Sequence, residues 1–174
     1  MSDRAPKEWR GRFFEDLDVG DVFQSRFGRT VTDEDNIGFT AMTHNTNQVH
    51  FNAAFAERTR FGKMLVNSCF TLSLVTGLSV MDTSENATAN LAWTDIKLPT
   101  PVFVGDTLWS ESEILALRES RSNSDVGIVT MRTRGLNQDG ATVIEFVRTF
   151  MLYRRNAPEA QRLFPAATSG WTVG

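Results

Sequence analysis

The sequence predicts an α+β domain in which one long antiparallel sheet curves around a single apolar helix. Three observations carry this. Residues 67–80 form a helix-length run with no strongly polar face, and such a helix is usually enclosed by other elements. Beyond it, four strand-length segments follow one another with turn signals between them. No internal repeat or low-complexity linker interrupts the 174 residues, a length suited to one domain with a substantial core.

The elements follow in order. Residues 1–12 are charged and lack an apolar centre, so they read as an extension, neither signal peptide nor anchor. The domain is expected over residues 13–155. A Val19-Gly20-Asp21 turn leads into a strand through Val31, with Phe23, Ser25, Phe27, Arg29 and Val31 on one face. Thr32, with Asp35 three residues later, has the form of a capping box. It opens a helix over residues 33–42 in which Ile37 and Ala41 lie four apart. Phe51, Ala54, Phe55 and Arg58 fall at helical spacing and suggest a second, short helix. Asn67 or Ser68 then caps the third, which runs to about Val80 and carries Phe70, Leu72, Leu74, Val75 and Leu78.

Residues 90–98, 107–117, 126–136 and 141–153 read as strands. They are punctuated by Gly105-Asp106, the polar stretch 118–125, and Asn137-Gln138-Asp139-Gly140. In the last strand Ile144, Phe146, Phe150 and Leu152 alternate with Val143, Val147, Met151 and Tyr153, so both faces are apolar. That pattern suits a strand packed on a helix on one side and on a partner subunit on the other. Residues 156–174 read as a peripheral tail.

Composition narrows the function classes. A hydrophobic share of 41% and a charged share of 22% are ordinary for a soluble globular protein. A net charge of −3 gives no basic footprint for nucleic acid. The longest apolar run is too short for a bilayer, so no membrane partner is expected. One cysteine, Cys69, excludes an internal disulfide and suits a reducing cytoplasm. Two histidines and one cysteine leave no zinc-type ligand set, and no metal is expected.

Residues 43–52 stand out. They hold both histidines, His44 and His50, and three asparagines, Asn45, Asn47 and Asn52. Histidine is the side chain best able to move a proton near neutral pH, so this polar knot between apolar segments reads as a reaction site.

Across residues 13–153 the chain resembles the MaoC-like dehydratases and (R)-specific enoyl-CoA hydratases. The carriers are Phe14-Glu15-Asp16-Leu17-Asp18-Val19-Gly20-Asp21, the Asn47–His50 region, Thr59-Arg60-Phe61-Gly62, and Pro101-Val102-Phe103-Val104-Gly105-Asp106-Thr107-Leu108. The family motif Asp-x-Asn-Pro-(Ile/Leu)-His-x-Asp falls on Asn45 to Asn52. The resemblance therefore gives the catalytic histidine to His50 and the motif asparagine to Asn47. The family aspartate does not carry over, because Asn45 stands in its place. The family's Phe-Gly-x-x-Ile-Ala-His-Gly reads here as Phe61-Gly62-Lys63-Met64-Leu65-Val66-Asn67-Ser68, with Asn67-Ser68 for His-Gly. Residues 43–52, 65–68 and 82–87 are similar to the mesaconyl-CoA hydratase (β-methylmalyl-CoA dehydratase) branch, whose members carry two hot-dog units in one chain.

The resemblance implies the hot-dog fold and reversible hydration of an α,β-unsaturated acyl-CoA, with a short branched or dicarboxylic acyl group leading. It also implies a homodimer supplying the second unit, with pairing into larger oligomers left open. Coenzyme A arrives as part of the substrate and no separate cofactor is implied.

Hydration needs a base for water, donors for the enolate-like oxygen, and an acid for Cα. His50 is the candidate base and Asn45 the group that holds the water. Backbone amides at the N-terminus of the enclosed helix, around Ser68, are the oxyanion donors. Asn67, Ser68 and Asn45 could hold a substrate carboxylate, and Asn47 completes the binding set. Arg58, Arg60 and Lys63 are candidates for coenzyme A phosphates, though such a cluster is commonly solvated surface.

Plainer readings stand beside these. Asp35 is the nearest alternative carboxylate, but capping accounts for it. His44 is expected to bond the last carbonyls of its helix. Cys69 on a buried helix behaves as a small hydrophobe, and Trp93 and Trp109 as packing residues. Two rival functions remain: a thioesterase on the same fold, and a non-catalytic acyl-CoA-binding subunit.

Overall fold

The computed structural model describes residues 10–162; the remainder of the expected extension and tail, residues 1–9 and 163–174, lies outside the described residues. The chain enters through a 3-10 turn (Phe14–Asp16) and two short strands, β1 (Val22–Gln24) and β2 (Arg29–Thr30). Helix α1 (Asp33–Met42), a 3-10 turn (Gln48–His50), the short helix α2 (Ala53–Ala56) and the long helix α3 (Ser68–Thr83) follow. Four long strands complete the sheet: β3 (Ala87–Lys97), β4 (Thr107–Glu119), β5 (Val126–Leu136) and β6 (Thr142–Tyr153). A last 3-10 turn covers Ala160–Arg162.

The sheet is antiparallel in the order β1-β4-β5-β6-β3, with β2 pairing on β4 beyond β1. β5 and β6 each return beside their predecessor, whereas β3 pairs with β6, so residues 98–106 cross from one side of the sheet to β4 on the other. At the β5–β6 corner Gly140 takes φ +75°, and Asn137 Oδ1 accepts from the Asp139 and Ala141 amides. Helix α3 lies across the concave face. Phe146, Phe150, Ile144 and Leu152 of β6 are fully buried there, each contributing about 1.5–3 kcal/mol of burial free energy. Gly135 on β5 lets the helix approach. A Cβ at that position would sit 2.7 Å from Val75 Cγ2 and 2.9 Å from Ile144 Cγ2.

The core divides into two apolar clusters. One gathers Val31, Val66, Val75, Leu78, Val102, Leu108 and Phe146; the other gathers Leu17, Ile114, Val129, Met131, Phe150 and Leu152. Between them runs a diagonal polar seam of Ser112, Thr133 and Arg148, joined by Asp82 and Ser84 at the end of α3, all buried. Ser112 and Thr133 hydroxyls bond across β4 and β5 at 2.9 Å. The Arg148 guanidinium donates to Ser84 Oγ at 2.6 Å and lies 4.5 Å from the Phe150 ring centre.

Several sequence expectations are corrected. The strand expected through Val31 is split. Ser25 Oγ accepts the Ser110 amide, Gly28 passes against the Trp109 indole, and Phe27 turns out to solvent at 56% exposure. Helix α1 has the expected bounds, but Ile37 and Ala41 face outward while Asn36 and Thr40 are buried. In α2 only Ala56 is buried, and Phe51 and Phe55 are exposed. Helix α3 is not enclosed on every side in the single chain: Ser68, Cys69, Ser73, Gly77 and Met81 lie on an exposed face, so Cys69 is not a core residue. Trp93 lies exposed on the edge strand β3 rather than packing inside. In β6 the charged Arg148 interrupts the inner apolar set, and Val143 joins the core instead of the opposite face.

Candidate active site

The site is built where three irregular segments meet the start of α3. Leu65 N bonds Val49 O at 3.1 Å, and Val66 N bonds Val102 O at 2.9 Å, lacing residues 49, 65–66 and 102 together. His50 ends the 3-10 turn and is buried at 7% exposure. Its Nδ1 lies 2.8 Å from the Leu65 carbonyl oxygen. A carbonyl only accepts, so in the neutral imidazole Nδ1 carries the proton and Nε2 presents the lone pair. Three residues past Leu65, α3 begins at Ser68 with Asn67 as its N-cap. Asn67 Oδ1 accepts the Cys69 amide at 3.0 Å, while the amide of Ser68, an exposed residue, has no acceptor among the described residues. A lone-pair nitrogen and an unspent helix N-terminus therefore flank one short stretch of chain, the combination that proton transfer beside a developing oxyanion uses.

All three asparagines in the polar knot serve the backbone. Asn45 Oδ1 accepts the Asn47 amide at 3.0 Å, Asn47 Oδ1 the Val49 amide at 3.3 Å, and Asn52 Oδ1 the Phe55 amide at 3.1 Å. Each starts the next turn of chain, which explains their spacing. Asn45 is half-buried and Asn47 exposed; the donor hydrogens of both amides stay available. His44 ends α1 through its backbone, not through its ring. It takes φ +55°, its amide bonds Ala41 O, and the Asn45 amide bonds Thr40 O, a Schellman closure.

Asp35 is spent on the cap. It accepts the Thr32 amide at 2.9 Å and the Arg29 guanidinium at 2.8 Å. Its partial burial alone would raise the carboxyl; the Thr32 amide and hydroxyl and the Arg29 charge outweigh this and hold it below the usual carboxylate range. Arg58, Arg60 and Lys63 are exposed on the turn after α2. The Arg60 guanidinium sits 4.8 Å from the Phe61 ring centre and Lys63 Nζ 4.3 Å from that of Phe103. The structure thus ties His50 and the Asn67-Ser68 start of α3 to the Leu65 stretch, and sets the three cations on the exposed surface.

The sequence reading missed Asn36 and Thr40. Asn36, fully buried, donates Nδ2 to His50 O at 2.8 Å and to Leu65 O at 3.2 Å, and its Oδ1 accepts the Asn67 amide at 2.9 Å. Thr40, one turn on, meets Asn67 Nδ2 at 3.2 Å. The available signal was two poor helix formers four apart on α1, offset by one position from the apolar pair.

Two cavities of about 320 and 340 Å³ lie elsewhere, on the β4–β5 side of the sheet, lined by groups such as Glu111, Glu113, Arg132 and Trp109. Among the described residues no cluster of His, Cys, Asp or Glu could hold a metal ion, and no helix is long and apolar enough to cross a membrane.

The family model for mesaconyl-CoA hydratase matches residues 1–163. The mesaconyl-CoA hydratase of Cereibacter sphaeroides is 36% identical over 146 residues, which cover 84% of this chain and 42% of that protein. A crystal structure of a putative MaoC domain protein dehydratase from Chloroflexus aurantiacus superposes with a TM-score of 0.81 at 27% identity, covering 97% of this chain and 46% of that one. A Mycobacterium tuberculosis protein with a double hot-dog fold gives a TM-score of 0.77 at 21% identity, over 91% of this chain and 48% of that one. The chain spans less than half the length of the mesaconyl-CoA hydratases it matches. With its antiparallel sheet packed on α3, the chain is a hot-dog protein and belongs to the mesaconyl-CoA hydratase family.

Proposed function

We propose that the chain supplies one catalytic unit of a hydro-lyase that reversibly adds water to an α,β-unsaturated acyl-CoA thioester. Mesaconyl-CoA and β-methylmalyl-CoA are the leading substrate and product. The observation that carries this reading is the His50 ring: its Nδ1 is committed to the carbonyl of Leu65, three residues before the start of α3, which leaves the Nε2 lone pair unspent.

In this reading the water oxygen attacks Cβ while His50 Nε2 takes its proton. The π electrons move to Cα and the thioester oxygen, which the Ser68 amide stabilises at the positive end of the helix. His50 then returns the proton to Cα on the same face, and the balance closes without another reagent. Asn45 holds the water through its free amide hydrogens. Asn67 and Asn47 are the polar partners for a second carboxylate on the acyl group, and Arg58, Arg60 and Lys63 meet the coenzyme A phosphates.

A second copy of the chain is expected to complete the unit. The edge strand β3 and its exit leave Leu91, Trp93, Ile96 and Leu98 between 40% and 49% exposed, a surface that a partner would cover. A single exposed thiol suits a reducing cytoplasm.

One observation favours a rival, an acyl-CoA binder without turnover: Asn45 replaces a proton acceptor, and its Oδ1 already serves the Asn47 amide. Purified protein with mesaconyl-CoA separates the readings. Hydration changes the enoyl-thioester absorbance reversibly, hydrolysis releases free thiol, and binding alone does neither. Turnover that survives His50→Ala would remove the proposed mechanism.

A further inference from the structure

We infer that Asn36 is a positioning residue that fixes His50 and the oxyanion end of α3 to each other. The inference deepens the hydratase reading and rests on it. Asn36 belongs to neither segment; it reaches them from α1. Its one planar amide is used completely: two donor hydrogens on the carbonyls of His50 and Leu65, and the oxygen on the Asn67 amide. The orientation of the amide is unambiguous, because carbonyls only accept and an N–H only donates.

Leu65 O is the shared point. It accepts both Asn36 Nδ2 and His50 Nδ1, so Asn36 holds in place the very atom that holds the imidazole tautomer. The third bond fixes the amide immediately before Ser68. One side chain therefore sets the spacing between the base and the oxyanion donor, and only an amide of this length offers two donors and an acceptor there. Aspartate would turn a carboxylate oxygen toward two carbonyls, and alanine would strip partners from three backbone groups at once. Thr40 supports Asn67 only through Asn67's own side chain, so it serves as an internal control.

The test uses the full chain and the advantage of two histidines. In a His44→Gln background, ¹⁵N imidazole spectra report His50 alone. The neutral ring is expected as the single Nδ1–H form in the parent and as a tautomer mixture in Asn36→Ala. With mesaconyl-CoA, kcat should fall about 10–100-fold with KM within about threefold, the signature of a misplaced reacting group. Thr40→Val, which releases the Asn67 side-chain amide, should leave the tautomer as in the parent and show in KM rather than in kcat. If Asn36→Ala does not fold, Asn36→Ser, which keeps one donor and one acceptor on a shorter stem, should show the same change in smaller measure.

An unchanged tautomer, or a kcat loss matched by Thr40→Val, overturns the inference. Failure of the hydratase reading shows differently: turnover is absent in the parent or persists in His50→Ala, while the ¹⁵N spectra still decide whether Asn36 holds the ring.

Discussion

Gly135 offers the sharpest test of how the sheet holds the central helix. A methyl group at that position would stand 2.7 Å from Val75 Cγ2 and 2.9 Å from Ile144 Cγ2, whereas ordinary carbon contacts begin near 3.4 Å. The overlap is most of an ångström. Val75 and Ile144 are both fully buried, so neither can turn aside into solvent. Overpacking of this kind costs about 1–3 kcal/mol, which for a domain of this size lowers the melting midpoint by about 2–12 °C. Val75→Ala alone removes two buried methyl groups and costs about 2 kcal/mol. In the double variant the new methyl occupies space that Val75 has vacated, so the two losses should fall short of their sum by about 1 kcal/mol or more. Urea denaturation of the four proteins of the cycle measures this directly. Strict additivity would refute the argument that Gly135 is required by the approach of α3.

Three further outcomes are expected. His44→Gly removes a side chain held at φ +55° and should raise the melting midpoint, by about 0.5–1 kcal/mol in stability; a fall would show that the ring contributes a contact. Asp35 titrates lower in the folded chain than in the unfolded one, so its stabilisation is fully present above about pH 4 and lost as the pH falls through the folded value. The stability curves of wild type and Asp35→Asn should therefore converge in acid, and curves that stay parallel would exclude the ionised cap. Burial pushes the Arg148 guanidinium down to about 10, a cost of about 3 kcal/mol, offset by the Ser84 hydrogen bond and the Phe150 ring. Because the folded value is the lower one, wild-type stability should rise as the pH climbs through about 10, and Arg148→Met should abolish that rise while staying within about 2 kcal/mol of wild type at neutral pH.

Much of the fold was legible because it rests on local rules. The Thr32–Asp35 cap, the start of α3 at Asn67, and the turns at Gly105 and Gly140 each mark a boundary by the chemistry of one or two residues. Strand and helix periods supplied the rest. What escaped was orientation. Ile37 and Ala41 suggested the inner face of α1, but the inward contacts are polar: that face meets carbonyls and amides of a site rather than aliphatic core. The break at Ser25 was hidden because a side chain, Ser25 Oγ, replaces a ladder acceptor, and Arg148 because its charge is accommodated only by partners distant in sequence. At the site, His50, Asn67 and Ser68 could be read from the motif. Asn36 could not, since its three bonds run to residues 14 to 31 positions away.

The hydroxyl and guanidinium groups between the two apolar clusters have a consequence for how damage spreads. His50 and the start of α3 adjoin the cluster of Val66, Val75 and Val102; Leu17, Met131 and Phe150 lie beyond the seam. Hydrogen-bonded groups with fixed partners stiffen the region they cross. Arg148 lies against the Phe150 ring of the far cluster and donates to Ser84 at the end of α3, so erosion of that cluster reaches the helix through this one side chain.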